Sequence, residues 1–238
     1  RGIGHVYSSS YTDATSAETE LRHHIKNLVG DEVAEQVSTR KIEFSPGHRE
    51  KFWHKNCVAI GMAAGFVEPL EASALVLVEL SANMIAEQLP QNRKIMDIVS
   101  KRFNEKFLYR WDTIIEFLKL HYILTDRDNS EYWRDNVSRE SIPASLQEKM
   151  DLWKWQGPYH KDTLHIDEMF PSASYQYILY GMGFKSNPGN FRRSNQETSA
   201  VALDLFDENA MRTKQLVSSM PTNRDFIAKV HQYGLQKI

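Results

Sequence analysis

The chain has 238 residues, 41% of them hydrophobic and 25% charged, with a formal net charge of -2. That length buries a real core and suits one or two domains. The near-neutral balance argues against nucleic acid as a partner, since gripping phosphate backbones takes a clustered positive surface, and the lone Cys57 excludes an internal disulfide and fits a reducing cytoplasm.

The polar N-terminus shows no secretory signal, and Gly4-His5-Val6-Tyr7 reads as a strand. Gly2-Ile3-Gly4 is the nearest approach to a G-x-G-x-x-G pyrophosphate turn. Tyr7 fills the third glycine position and no helix follows at once, so the match is a decoy. Thr15 or Ser16 caps a helix through about Leu28, and a second short helix spans Asp31 to Ser38. Lys41 to Ser45 alternates as a strand, Pro46-Gly47 marks a turn, and Lys51 to Trp53 is the segment placed to pair back. Cys57-Val58-Ala59-Ile60 is a short apolar stretch of buried-strand type, with inert packing for Cys57. The longest apolar run, Cys57 to Val67, is too short to span a bilayer and is broken by Glu68-Pro69.

The run from Gly61 to Leu75 (GMAAGFVEPLEASAL) is the most informative in the chain. Its glycines and alanines let backbone approach a ligand closely. Pro69 suits the first turn of a helix that continues from Leu70 to Leu89 without interior Gly or Pro, and Glu71 falls in that first turn. Unpaired N–H groups at such a helix start attract a halide, a phosphate or a reduced flavin ring. A plain strand-turn-helix connection with an acidic first turn accounts for the same spacing.

Beyond Pro90 the strands stop, which divides the chain into 1–90 and 91–238. A long helix runs from Arg93 to about Thr125, its apolar set being Ile95, Ile98, Val99, Phe103, Phe107, Ile114, Phe117 and Leu118. Further helices are expected at Ser130 to Val137, Ala144 to Trp155, Ser174 to Gly181, Glu197 to Ser218 and Arg224 to Tyr233. Asp126-x-Asp128-x-Ser130 begins like a calcium loop, but Glu131 and Val137 stand where it needs Gly and Glu. His121 reads as a hydrogen-bonded structural histidine. His160, Asp162, His165 and Asp167 lack regular metal-ligand spacing, so no metal site is expected.

Three stretches carry a family likeness. Gly61 to Leu75 closely resembles the flavin-proximal segment of the flavin-dependent tryptophan halogenase family, G-x-A-A-G-F-x-E-P-L-E-[SA]-[ST]-[GA]. It is more distantly similar to the flavin-ribityl motif of the aromatic-hydroxylase fold, with Met62 in place of the usual Asp. Phe117 to Arg134 is similar to the halogenases' F-x-x-x-H-Y…R-x-[DN]-[ST]-x-[FY]-W. In the stretch from Asp167 to Gly183, aligned on Tyr175, Phe170 takes the place of a substrate-sandwiching Trp and Ser174 that of an Asn. The likeness covers residues 1–183.

The resemblance implies an α+β fold: the C-terminal part of an FAD-dependent monooxygenase-like, aromatic-hydroxylase-type domain (1–90), then a mostly α-helical substrate-binding region (91–238). The family's pyrophosphate motif, catalytic lysine and W-x-W-x-I-P signature are then expected upstream of Arg1, and the isolated chain is expected to be inactive. In such enzymes a separate flavin reductase supplies reduced FAD. FAD, O2 and chloride or bromide give a hypohalous species that halogenates an electron-rich aromatic ring such as tryptophan or indole. By resemblance, Gly61, Met62, Ala63, Ala64, Gly65, Pro69 and Leu70 meet the cofactor, the backbone at Ser73 and Ala74 binds the halide, and Glu71 is catalytic. Phe170, Ser174 and Tyr175 bind the substrate. The short Ser174 and the donorless Pro171 favour indole-like rings over free tryptophan. The family's usual Ser after the Glu is Ala72 here. Neither a membrane nor a nucleic acid is an expected partner, a homodimer is an expected assembly, and the location is cytoplasmic. An FAD-dependent aromatic monooxygenase on the same fold is the alternative, and the E-P-L-E run fits halogenases better because a hydroxylase gives Glu71 no task. A helical interaction module without activity is the non-enzymatic reading.

Overall fold

The computed structural model describes residues 2–162, 168–187 and 196–235. Two compact units divide at Asn187/Pro188, and Pro90 lies inside the first. The chain is mostly helical with few strands. No helix among the described residues is long and apolar enough to cross a membrane.

Helix α1 (Ala14–Val29) begins where Asp13 accepts a hydrogen bond from the Ser16 N–H at 2.8 Å, so the cap precedes the Thr15 and Ser16 expected from sequence. Gly30 ends it at φ 86° and leads into α2 (Asp31–Gln36). Arg22 ties the two together: its guanidinium pairs with Glu18 and donates to the Ala34 and Val37 carbonyls at 2.8 and 3.2 Å.

The strands are short. Strand β1 (Gly47–His48) pairs antiparallel with β4 (Gly65–Phe66), and β2 (Trp53–His54) with β3 (Cys57–Val58). The expected strands at Gly4–Tyr7 and Lys41–Ser45 are irregular, exposed backbone for most of their length. Among the described residues neither segment has a partner strand to complete a ladder, and alternation alone does not produce one. Cys57 is exposed, not buried, because the apolar run contributes only two residues to a hairpin at the surface.

After β4 come a 3-10 turn at Leu70–Ala72 and helix α3 (Ala74–Glu87). The 31-residue α4 (Arg93–Ile123) is the axis of the first unit, about 46 Å long at 1.5 Å per residue. Asn92 caps it by accepting from the Lys94 N–H. Its inward face (Phe103, Phe107, Trp111, Ile114, Phe117, Leu118 and Leu120) recurs with helical period and is almost fully buried. Ile95 and Ile98, expected in that set, lie on the open first turns instead. Helices α5 (Glu131–Val137), α6 (Ala144–Trp153) and α7 (Ser172–Gly181) follow; α6 and α7 pack on α4 through Leu146, Trp153, Tyr175 and Leu179. Two charged groups lie within this apolar mass. Glu116 is paired with Lys149 of α6, and the Arg110 guanidinium lies 4.9 Å from the centre of the Phe107 ring. The second unit holds α8 (Gln196–Ser219) and α9 (Asn223–Tyr233), the latter capped by Thr222 and ended by Gly234.

One half-buried amide couples the hairpin to α4. Asn104 Oδ1 accepts from the Phe52 and Trp53 N–H groups, both at 2.8 Å, and its Nδ2 donates to the Trp53 carbonyl at 2.9 Å. Asn104→Ala strands those groups and is expected to lower stability by about 2–3 kcal/mol in urea unfolding. A loss under about 0.5 kcal/mol contradicts the role given to this contact.

Candidate functional site

The Gly/Ala-rich run folds as a 3-10 turn at Gly61–Ala63, strand β4 and the 3-10 turn at Leu70–Ala72. Its glycines serve the chain itself. A Cβ on Gly65 would lie 2.6 Å from the His48 Cβ and 2.7 Å from the Gly47 carbonyl, so the missing side chain lets β1 and β4 approach, not a ligand. Gly61 adopts φ +58°, the left-handed region that glycine enters freely. Arg49 holds the turn, donating from its side chain to the Ala63 carbonyl at 2.6 Å and from its N–H to the Ala64 carbonyl at 2.8 Å. Ala64 is buried, whereas Ala63, Pro69, Leu70, Ala72 and Ala74 are exposed and Met62 is 83% exposed.

Glu71 is not in the first turn of an α-helix. It has φ 63° and ψ 0°, Ala72 has φ 44°, and α3 starts only at Ala74. Two consecutive left-handed residues with side chains are costly, roughly 1–2 kcal/mol each, so contacts must hold them. Those contacts come from the last turn of α4. His121 Nε2 lies 2.9 Å from Glu71 Oε1, and Tyr122 donates to Glu68 Oε2 at 2.6 Å. Sequence reasoning gives His121 only a structural part and passes over Tyr122 and Glu68. The available signal was the pairing of two acids three residues apart with an adjacent His-Tyr at a helix end.

The start of α3 is open. The first helical hydrogen bond is donated by Leu77 to the Ser73 carbonyl, and no side chain caps the helix. The N–H groups of Ala74, Leu75 and Val76 therefore precede the hydrogen-bonded ladder, the condition under which a helix end attracts an anion. An exposed, small and apolar surface beside such N–H groups fits a flat ring with a polar edge and an anion next to it. Among the described residues there is no group of three or more acids, histidines or cysteines that could hold a metal ion. His165 and Asp167 lie outside the described residues.

The expected substrate residues are reached through the same helix. Phe117, one turn before His121, packs edge-on to its ring with centroids 5.1 Å apart. It also stacks on Phe170 at 3.9 Å and 19° and makes an edge contact with Tyr175 at 4.9 Å. Phe170 and Tyr175 are each only 7% exposed. Phe170 therefore does not stand as a free platform: one face is taken by Phe117, leaving at most the opposite face for a ligand. Tyr175 is a core residue wedged between Phe117 and Trp153. Ser174 is half-buried in the first turn of α7, its N–H donating to the Pro171 carbonyl.

Four phenols are pushed upward, Tyr11 through its hydrogen bond to Asp135 and three more by burial first and then by carboxylate neighbours. Burial and the hydrogen bond to Glu168 push Tyr109 up to about 12 from the usual 10.0. Burial and then Glu68 raise Tyr122, and burial and then the charge of Glu116 raise Tyr175. Between the unfolded and folded values the native chain holds more protons than the unfolded one, so stability is intact below about pH 10 and falls as pH rises toward 12. Absorbance titration of the phenolates should show these three of the ten tyrosines ionising last, together with unfolding. Ionisation of all ten near pH 10 in the folded chain would contradict the packing described.

The tryptophan halogenase family profile matches residues 1–195. The chain is 29% identical to the 7-chloro-L-tryptophan 6-halogenase KtzR of Kutzneria sp. (strain 744), over 96% of this chain and 43% of that protein. It is 30% identical to the tryptophan 6-halogenase SttH of Streptomyces toxytricini, over 97% of this chain and 43% of that one. Among solved structures, a tryptophan halogenase from Shewanella frigidimarina NCIMB 400 superposes with a TM-score of 0.88 at 44% identity, covering 98% of this chain and 44% of its own. The chain thus spans less than half the length of these relatives. On the strength of a profile match over most of its residues, it belongs to the tryptophan halogenase family.

Proposed function

We propose that the protein carrying this chain is a flavin-dependent halogenase acting on an electron-rich aromatic ring, and that this chain contributes the halide end of the flavin site, the general base and one wall of the substrate pocket. The observation that carries the reading is the convergence on one turn of α4. His121 holds Glu71, and Phe117, one turn earlier, stacks on Phe170, so the acid and the aromatic wall are two side chains apart.

Bound reduced FAD, supplied by a separate flavin reductase, would furnish with O2 and a halide the electrophilic halogen. The turns Gly61–Gly65 and Pro69–Leu70 hold the flavin edge, mainly through Met62, Ala63, Pro69 and Leu70. The backbone at Ser73 and Ala74 holds chloride or bromide in the field of the α3 N-terminus. Phe170 and Ser174 line the substrate side, backed by Tyr175. Once the ring carbon has taken up halogen, its C–H bond breaks. The proton goes to Glu71 Oε2, the oxygen that His121 leaves free, and the electron pair returns to the ring. The hydroxylase alternative on the same fold gives Glu71 no such task.

Glu71→Gln in the complete protein keeps shape and removes the base. Halogenation should fall at least about tenfold, or about 1.4 kcal/mol of barrier, while flavin titration is unchanged. Undiminished turnover overturns the reading.

A further inference from the structure

The last turn of α4 contributes a group that contacts one oxygen of Glu71. His121 Nδ1 lies 2.9 Å from the Phe117 carbonyl, the i−4 contact natural to a helical histidine. A carbonyl only accepts, so Nδ1 carries a proton and Nε2 is the nitrogen left for Glu71. Nε2 lies 2.9 Å from Glu71 Oε1. With Nδ1 protonated, that contact contains a proton in one of two ways: an imidazolium donating to a carboxylate, or a carboxylic acid donating to a neutral imidazole. The tautomer with Nε2–H and a bare Nδ1 would set a lone pair against the Phe117 carbonyl. The side chains are 17% and 31% exposed, which keeps the contact partly out of water and strengthens it.

We propose that His121 is the positioning residue of the reaction, sharing a single proton with Glu71 and occupying Oε1 so that Oε2 alone is presented to the substrate. This rests on the role given to Glu71 above. The loop has a second tether, Tyr122 to Glu68 at 2.6 Å, so removing the imidazole changes the aim and charge of Glu71 without releasing the loop.

The test compares wild type, Glu71→Gln, His121→Phe, His121→Gln and the double variant Glu71→Gln/His121→Phe in the complete protein, with FAD, a flavin reductase, bromide and indole. His121→Phe should lower kcat at least about tenfold with KM for indole within about twofold. His121→Gln keeps a donor for Glu71 and should restore most of that loss. In the Glu71→Gln background His121→Phe should cost less than about a further twofold, because residues that act as a unit are not additive. Fully additive losses, or normal turnover in His121→Phe beside an impaired Glu71→Gln, overturn this inference and leave the role of Glu71 standing. An unimpaired Glu71→Gln instead removes the role of Glu71 itself. A readout free of turnover accompanies these: in nitrogen-labelled wild-type protein, His121 should show a one-bond coupling between Nδ1 and its proton. A bare Nδ1 overturns the proposal whether or not His121→Phe folds.

Discussion

Two hydrogen bonds at the end of α4 hold the part of the chain on which the proposed chemistry depends. The segment from Glu68 to Ser73 carries consecutive left-handed residues that L-amino acids avoid, and neither is a glycine. A loop in that state relaxes unless something outside it makes the strained form the lower one. Tyr122 and His121 do this by gripping the two carboxylates of E-P-L-E, and hydrogen bonds to charged groups contribute about 1.5–3 kcal/mol each. The strain and the grip are of similar size. Backbone held in this way clusters at functional sites, and here it turns Glu71 out of the helix and leaves the start of α3 uncovered.

That grip is only as rigid as the helix that supplies it. Helix α4 is fixed along its length by contacts that depend on one another. Asn104 binds the hairpin, Trp111 stacks on His48 of β1 at 5.4 Å, and Phe117 is locked between Phe170 and Tyr175. The strand pair β1–β4 carries the Gly61–Gly65 turn, so both halves of the proposed flavin contact are referred to the same helix. Tyr122 is itself stacked on Trp133 of α5, which also meets the Arg127 guanidinium and the edge of Tyr132. The aromatic mass around α4 thus sets the position of two carboxylates at its tip.

Helices were legible in the sequence because hydrophobic period, caps and breakers all act locally: α4, α5 and α9 begin and end within about two residues of their sequence signals. Strands were legible only in part. Cys57–Val58, read as strand from its apolar run, does pair, with Trp53–His54, but KIEFS alternates well and has no bonding neighbour among the described residues, while the pairing of Gly47 with Phe66 joins segments without a strand pattern. The wording of Gly61 to Leu75 pointed to the proposed site, yet Pro69 followed by good helix formers reads as continuous helix. The left-handed turn at Glu71 is imposed by tertiary contacts some fifty positions away. Distance in sequence also hid His121 and Tyr122, and the stack of Phe117 on Phe170 that turns an expected platform into a half-covered wall.

This grip presents a carboxylate and an open helix start side by side. Anomalous diffraction from crystals of the complete protein soaked in bromide tests it most directly. A bromide peak is expected against the backbone N–H groups at Ser73 and Ala74, with Glu71 still bonded to His121 and Glu68 to Tyr122. A peak confined to other surfaces, or a Glu71 carboxylate turned away from His121 when the halide is bound, would contradict it.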